Sequence, residues 1–168
     1  MSAENLRLGI RNFSKIEDIT ATTLRELYSD WLEKSKGNAM APANSIDLLD
    51  YAENARNWAI VDVINGGEDF EFRFAGPDLV AFLTLEPTGH RFSDVGKSTK
   101  FGDFVRNSRA ILSKAASSQR PVLNGPTTTT LSEKSFYTIE SLNLPMGVQE
   151  VTQIITAIDL NYATDEEA

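Results

Sequence analysis

The hydrophobic pattern changes period across residues 58–74, and this change excludes an all-helical fold. Residues 58–64 form an apolar, largely β-branched run, and the Gly66-Gly67 pair after it is typical of a hairpin turn. The segment after the turn alternates apolar and charged side chains: Phe70, Glu71, Phe72, Arg73 and Phe74. This alternation indicates a strand with one buried face, on which the three phenylalanines are expected to lie together. We therefore predict an antiparallel β-hairpin.

Three more strands are predicted in the last third of the chain, over residues 122–131, 136–143 and 151–160. The first is interrupted by Asn124-Gly125-Pro126, which predicts a bend or a bulge. The second is expected to end at Pro145-Met146-Gly147, because proline lacks the N–H that a ladder requires. The five strands together predict an α+β fold with one antiparallel sheet.

Apolar side chains at helical spacing predict a helix over residues 22–36, which Gly37 would end. The apolar stripe of this helix consists of Leu24, Leu27, Tyr28, Trp31 and Leu32. Two further helices are predicted between the two groups of strands, over residues 78–83 and 101–115. We expect the middle helices to cover one face of the sheet, with a binding cavity between the two layers.

Charge and composition narrow the classes of function. The 168 residues carry a formal net charge of −8, which disfavours binding to nucleic acid or to an anionic membrane surface. The chain has no cysteine, and this excludes disulfides, thiolate metal sites and a cysteine nucleophile.

One domain of ordinary size is expected. We assign residues 1–21 to an N-terminal extension, 22–162 to the domain with its N-terminal helix, and 163–168 to an acidic tail. The N-terminus shows no signal-peptide pattern, and the longest apolar stretch is far shorter than a membrane span. These features predict a cytoplasmic protein.

An ordered series of short motifs runs through residues 24–160. The motifs are Tyr28-x-x-Trp31, Phe72-Arg73-Phe74-Ala75-Gly76, Thr88-Gly89-His90-Arg91 and Leu144-Pro145. In this order and spacing the chain resembles a bacterial family of single-domain PAS proteins. The resemblance implies five antiparallel strands in the order 2-1-5-4-3, helices on one face and an extra N-terminal helix.

The same resemblance implies a sensory or regulatory role. PAS domains bind small ligands or protein partners, and many form dimers through an N-terminal helix. We therefore expect a module without an effector domain of its own, which binds an unidentified small molecule or signalling protein. A homodimer would use the helix stripe, with Leu24, Leu27, Tyr28 and Trp31 as candidate contacts.

Candidate ligand-binding residues cluster in two of these motifs: Arg73, Gly76, Gly89, His90 and Arg91. Arg73 has two possible positions. It lies on the outer face of the sheet, paired with Asp62, Glu71 or Glu140, or it points into the cavity and anchors an anion. Gly76 and Gly89 are expected to be turn residues, and Gly89 could also present backbone N–H groups near a pocket.

No catalytic set is recognisable. His90 is the only histidine, so a multi-histidine metal site is excluded, and no nucleophile elbow or phosphate-binding loop is present. We therefore predict a protein that is not an enzyme, and the sequence indicates no particular cofactor. Two alternatives stay open: a small α+β cavity enzyme or carrier, isomerase-like or lipid-binding, that would use Asp62, Arg73 or His90, and a purely structural adaptor with a filled core.

Overall fold

The computed structural model describes residues 9–13, 15–98, 102–132 and 135–164. Within these ranges the strands are β1 (Ile10–Asn12), β2 (Ala59–Ile64), β3 (Asp69–Ala75), β4 (Val122–Ser132), β5 (Ser135–Gly147) and β6 (Val151–Thr164). The α-helices are α1 (Thr22–Ser35), α2 (Pro77–Leu83), α3 (Phe92–Ser98) and α4 (Gly102–Ser118). The α+β class is confirmed, and the helix predicted over 22–36 is present as α1.

All the strands belong to one antiparallel sheet in the order β1-β4-β5-β6-β2-β3. The expected count of five strands is wrong, and the order changes with it. A sixth strand, β1, comes from the expected N-terminal extension and pairs with Val122–Asn124 at the edge of the sheet. Without β1, the remaining strands follow one another as β3-β2-β6-β5-β4.

A bulge in β3 moves one phenylalanine to the opposite face. Val61 pairs with Phe72, but the next residue back in β2, Ile60, pairs with Phe74, so Arg73 is the extra residue. Phe70 and Phe72 are buried, whereas Phe74 is 37% exposed. The prediction that the three phenylalanines share one face is therefore wrong for Phe74.

The end of the strand predicted at Pro145-Met146-Gly147 is confirmed, because β5 ends at Gly147, although the strand passes through Pro145. Pro145 pairs with Ile154 of β6, while the pairing of β4 with β5 begins only at Asn143. At Pro145, β5 is therefore paired with β6 but not with β4. The missing N–H of the proline thus disrupts no hydrogen bond to β4. The irregularity predicted at Asn124-Gly125-Pro126 is confirmed, since the register shifts between Asn124 and Thr127.

Helices cover both faces of the sheet. Along β5, Ser141 lines a cavity together with residues of α2, α3 and α4, and the alternation of a strand places Glu140 on the opposite face. The Glu140 carboxylate accepts the backbone N–H groups of Thr20 and Ala21, where α1 begins. The middle helices α2, α3 and α4 cover one face of the sheet, as expected, and the extra N-terminal helix, α1, covers the other.

Most of the apolar stripe of α1 lies in the core of the chain, but Leu32 is 47% exposed. Leu24, Leu27 and Trp31 are at most 4% exposed. The Trp31 indole N–H donates to the Pro145 carbonyl at 2.9 Å, and the half-buried Tyr28 ring packs edge-on against Phe13. The surface expected to contact a second copy is thus occupied by the chain's own sheet, because the two-sided sheet needs a cover over β5 and β6.

The described part of the chain contains no helix long and apolar enough to cross a membrane. The strand β6 includes Thr164, so the expected acidic tail begins inside the sheet, and its last residues, 165–168, lie outside the described residues. Residues 1–8 of the expected extension also lie outside them.

Candidate functional site

A cavity of about 190 Å³ lies between the sheet and the layer formed by α2, α3 and α4. Strand alternation explains the sheet side of the lining, because Ala59 and Val61 are two residues apart on β2, as are Ser141 and Asn143 on β5. Helical spacing explains the other side, where α4 contributes Ser108, Ile111 and Leu112. Two lining residues, Asn107 and Thr127, are exposed, and they mark the mouth of the cavity between α4 and β4.

The wall at the β3 end is aromatic. The rings of Phe72 and Phe92 stack with centroids 4.3 Å apart and planes 17° apart, and both residues line the cavity. Phe70 lies behind them with its ring edge toward Phe92 at 6.0 Å. These contacts place a flat apolar surface at one end of the cavity.

A polar group of side chains lies on the sheet side. The Asn143 amide donates to the Val122 carbonyl and to the Ser141 hydroxyl, both at 3.4 Å. The Thr156 hydroxyl donates to Asn143 Oδ1 at 3.0 Å. Both ends of the Asn143 side chain are therefore engaged within the protein.

Asn124 differs from Asn143. It is the direct cross-strand partner of Ser141, so both side chains lie on the cavity side of the sheet. Its Oδ1 atom is buried and has no hydrogen-bond partner. A buried amide oxygen without a donor is unfavourable by about 1–3 kcal/mol, and this oxygen lies near Gly9, where an added Cβ would be 3.7 Å from it.

None of the described residues that line the cavity carries an ionisable side chain. The described residues also contain no group of three or more His, Asp or Glu side chains arranged to hold a metal ion. The chemistry available in the cavity is thus apolar contact and neutral hydrogen bonding.

The β3 residues predicted for the site lie elsewhere. Arg73 is on the surface, and its Nε donates to the Asp62 carboxylate at 2.9 Å, so the anion-anchor position is not the one it adopts. Gly76 precedes α2 and packs against backbone, since a Cβ there would lie 2.3 Å from the Arg56 carbonyl oxygen. Gly76 is a close-packing residue rather than a ligand contact.

Gly89, His90 and Arg91 form a backbone bridge on the outer edge of β3. Gly89 N–H donates to the Phe72 carbonyl at 2.7 Å, and Phe72 N–H donates to the His90 carbonyl at 3.0 Å. The Arg91 guanidinium lies 3.9 Å from Glu71. This segment satisfies the edge of the sheet and does not line the main cavity. The exposed His90 side chain lies in a separate surface depression with Glu86.

Asp69 fixes the helical layer to the sheet. Its carboxylate accepts the Phe70 N–H at 2.8 Å and the Ser93 hydroxyl at 2.6 Å, and Arg109 of α4 lies 3.6 Å away. Burial raises the pKa of Asp69, but the hydrogen bonds from Ser93 and Phe70 and the charge of Arg109 outweigh it, so the pKa lies below its usual value. Asp69 thereby holds α3 and α4 over the cavity.

On the other face of the sheet, Glu140 and Asp159 are direct cross-strand partners. Burial and then the charge of Glu140 raise the pKa of Asp159, although a hydrogen bond from Asn161 opposes this. The two carboxylates therefore place like charges side by side beneath the start of α1.

Sequence reasoning missed the residues that do line the cavity, including Asn124, Ser141, Asn143 and Thr156. The sequence of β5 contains a signal for two of them. Polar Ser141 and Asn143 alternate with apolar Leu142 and Leu144, which predicts that the two pairs lie on opposite faces of the strand. Asn124 was visible only as part of the predicted bend.

No protein-family model matches the chain, no curated protein is significantly similar to it, and no solved structure matches it.

Proposed function

We propose that this protein is a PAS-type sensory or regulatory module that binds a small molecule in the cavity and passes its state to a partner protein. The observation that carries the proposal is the cavity between an antiparallel sheet and a helical layer. The strand order supports it, because the strands from β2 to β6 run in the sequence 2-1-5-4-3 when β2 is counted as the first.

The size of the cavity favours a ligand over a filled core. The cavity is open at its mouth beside Asn107 and Thr127, and about 10–15 Å³ of cavity volume is enough to hold one water. A cavity of about 190 Å³ therefore has room for a small organic molecule. The structural-adaptor alternative, which requires phenylalanine and leucine side chains to fill this space, loses support.

The enzyme or carrier alternative depended on polar groups that converge in the cavity. Asp62 and Arg73 pair with each other on the surface, and His90 is exposed. A general acid or base needs an ionisable group within reach of the substrate, and the described lining offers none. A binding role is therefore better supported than catalysis.

The strand β5 offers a physical route from the cavity to the other face of the sheet. Ser141 and Asn143 line the cavity, while Glu140 holds the start of α1 through two backbone N–H groups. Because neighbouring residues of one strand move together, a ligand that shifts β5 would also shift the α1 contact. A change in the docking of α1 is the output that we propose.

The experiment compares wild-type protein with a variant whose cavity is filled. Ala59 lines the cavity at 3% exposure, so Ala59→Leu adds volume inside it. Ala81→Leu makes the same chemical change at an exposed position of α2 and is the matched control. Native mass spectrometry of freshly purified protein is expected to show a retained small molecule on wild type and A81L, and a strongly reduced fraction on A59L.

Absence of any retained or added small molecule on wild type would contradict the proposed function. Equal loading of A59L and wild type would contradict the assignment of this cavity as the binding place. Thermal unfolding of A59L serves as the check on folding, because overfilling a core position costs about 1–3 kcal/mol.

A further inference from the structure

We propose that the molecule bound in this cavity is uncharged and carries a carbonyl group, whose oxygen accepts a hydrogen bond from the Ser141 hydroxyl. This inference rests on the proposed function above and names the chemical class of its ligand. It follows from three observations: the face of the sheet on which Ser141 lies, the direction of the hydrogen bonds around it, and the uncharged side chains of the described lining.

Ser141 lies on the cavity face of the sheet. Its neighbours two residues away on β5, Ile139 and Asn143, line the cavity, and so does its cross-strand partner on β6, Ile158. Ser141 lines the cavity with them and is 5% exposed. Because Oγ is the only heavy atom of a serine side chain beyond Cβ, the hydroxyl is the group that Ser141 presents on this face.

The hydrogen bonds around Ser141 run in one direction. The Thr156 hydroxyl donates to Asn143 Oδ1 at 3.0 Å. The Asn143 amide in turn donates to the Ser141 hydroxyl and to the Val122 carbonyl, both at 3.4 Å. An amide N–H₂ group cannot accept a hydrogen bond, so Ser141 Oγ is the acceptor in this contact and keeps its own hydrogen.

The hydrogen of the Ser141 hydroxyl has no acceptor within the described parts of the chain. Its cross-strand partner on β4, Asn124, does not accept it, because Asn124 Oδ1 has no hydrogen-bond partner. A buried donor without an acceptor is unfavourable, and the carbonyl oxygen of a bound molecule would remove that cost. The chain from Thr156 through Asn143 also polarises its last donor, which strengthens such a bond.

The charge of the lining favours a neutral carbonyl over a carboxylate, which would also accept from a hydroxyl. A carboxylate brought into an apolar cavity loses its hydration, and it needs a paired positive charge to offset that loss. None of the described lining residues carries an ionisable side chain. The arginines that the sequence suggested as anion anchors, Arg73 and Arg91, lie beside carboxylates on the surface.

The rest of the ligand is mainly hydrocarbon. Ten of the seventeen lining residues are apolar, and the cavity volume is about 190 Å³. An apolar protein cavity of about 150 Å³ is large enough for benzene. A compound with one aromatic ring and a short carbonyl substituent is therefore a suitable probe.

The test uses three probes that share a phenyl ring: acetophenone, α-methylstyrene and benzoate. α-Methylstyrene has a C=CH₂ group in place of the C=O group of acetophenone, and benzoate has a charged oxygen in place of its methyl group. Their affinities for the full chain are measured by equilibrium dialysis at pH 7, with wild type, Ser141→Ala and Ser108→Ala. Ser108 lines the same cavity from α4, so S108A is the matched control.

The ratio of the acetophenone affinity to the α-methylstyrene affinity is compared between the variants, because the two probes differ in hydrophobicity. S141A removes the donor and is expected to lower this ratio about five- to tenfold. S108A is expected to leave the ratio within about twofold of wild type. Benzoate is expected to bind wild type at least about tenfold more weakly than acetophenone.

A spectroscopic measurement on wild type does not depend on the folding of a variant. The C=O stretch of bound, isotope-labelled acetophenone is recorded by infrared difference spectroscopy. A hydrogen bond weakens the C=O bond, so the stretch is expected at a lower frequency than in an alkane solvent, and S141A should move it back toward the alkane value. Binding of α-methylstyrene to S141A shows that this variant is folded with an open cavity.

The outcomes distinguish this proposal from the proposed function. An alkane-like C=O stretch in wild type, or a ratio that S141A leaves unchanged or that S108A lowers equally, overturns the hydrogen bond from Ser141. Benzoate binding as tight as that of acetophenone overturns the uncharged class. In each of these cases the cavity still binds a small molecule, so the proposed function stands. If no probe binds wild type and no molecule is retained on purification, the proposed function itself fails, and the ligand class fails with it.

Discussion

The carboxylate of Glu140 on β5 accepts the backbone N–H of Ala21 at 2.8 Å, so that a strand residue caps the first turn of α1. In a capping box the side chain at N3 accepts the N–H of the N-cap residue, but here N3 is Leu24, which has no polar side chain. The negative charge of Glu140 also lies at the positive end of the helix dipole. One buried carboxylate thus joins the start of α1 to the sheet.

Replacing this cap should weaken the fold measurably. Glu140→Gln keeps the shape but removes the charge, and it turns an amide N–H₂ toward donors that need an acceptor. We expect a loss of about 1–3 kcal/mol in the free energy of unfolding, measured by urea denaturation at pH 7. Glu26→Gln, at an exposed position of α1, is the control and should stay within about 0.5 kcal/mol of wild type. Equal stability of E140Q and wild type would contradict the capping role.

Asp159, the cross-strand partner of Glu140, should lower the free energy of unfolding more at pH 7 than at low pH. The pKa of Asp159 is raised in the folded state above 3.8, first by burial and then by Glu140. The stability that comes with this raised pKa is fully present below pH 3.8 and is lost as the pH rises through the folded pKa. Asp159→Asn should therefore be more stable than wild type at pH 7, and the difference should vanish toward pH 3.

Urea denaturation of D159N and wild type at several pH values checks this prediction. Asp50→Asn, at an exposed position, corrects for a general effect of removing one negative charge. A difference between D159N and wild type that grows as the pH falls would show that the sign is wrong.

Asp69, the carboxylate on the cavity side of the sheet, should instead contribute more stability at pH 7 than at low pH. The pKa of Asp69 lies below 3.8, because Ser93, Phe70 and Arg109 together outweigh its burial. Its contribution to stability is present above pH 3.8 and is lost as the pH falls through the depressed folded pKa. Asp69→Asn should cost about 1–3 kcal/mol at pH 7 and less at pH 3, as measured by chemical denaturation.

Hydrogen exchange provides a second measurement for D69N. If Asp69 holds α3 and α4 over the cavity, amides of α4 should exchange faster in D69N than in wild type, while those of α1 should change little. Uniform acceleration of exchange in both helices would indicate a global loss of stability instead of a local one.

A mutation can test whether the apolar stripe of α1 packs within one chain or at an interface between two copies. Leu27 is 0% exposed and Leu32 is 47% exposed on the same helix. Leu27→Ala should lower the free energy of unfolding by about 2–5 kcal/mol at every protein concentration, because the lost contacts are within one chain. Leu32→Ala is the matched control and should cost much less. A loss that depends on protein concentration would place Leu27 at an interface between copies.

Gly76 and Gly89 should contribute to stability for different physical reasons. Gly76→Ala brings a Cβ to within 2.3 Å of the Arg56 carbonyl oxygen, and we expect a loss of about 3 kcal/mol from the forced backbone shift. Gly89 has a φ of +82° but nothing within 4 Å of an added Cβ, so Gly89→Ala should cost only about 1–2 kcal/mol from the left-handed backbone. Thermal or urea unfolding of both variants checks the order, which a larger loss in G89A would reverse.

Local pattern was sufficient for much of the fold. The spacing of Leu24, Leu27 and Trp31 predicts α1, and the turn at Gly66-Gly67 predicts the β2–β3 hairpin, because both depend on residues close together in sequence. Proline and glycine likewise predicted the irregularity after Asn124. The same reasoning located the end of β5 within Pro145-Met146-Gly147, but the strand passes through Pro145, because the effect of a missing N–H depends on which neighbouring strand is present.

The site was much less predictable. Arg73 and Gly89 stand out in the sequence by residue type, yet the bulge in β3 and the bridge to its edge assign them to the surface. Asn124 and Ser141 do not stand out, and the register between β4 and β5 makes them cavity neighbours. A register is set by pairing across many intervening residues, and a shift by one residue would reverse the face of every side chain.

By itself, then, the amino-acid sequence determined the α+β class, the positions of α1 and of the central hairpin, and a chain without cysteine or a recognisable catalytic set. These properties follow from composition and from short-range periodicity. Only the tertiary structure decided that α1 covers one face of the sheet, and that a cavity whose described lining residues carry no ionisable side chain lies on the opposite face. Both depend on which distant strands meet, and in what register, because burial and hydrogen-bond satisfaction are properties of the assembled layers.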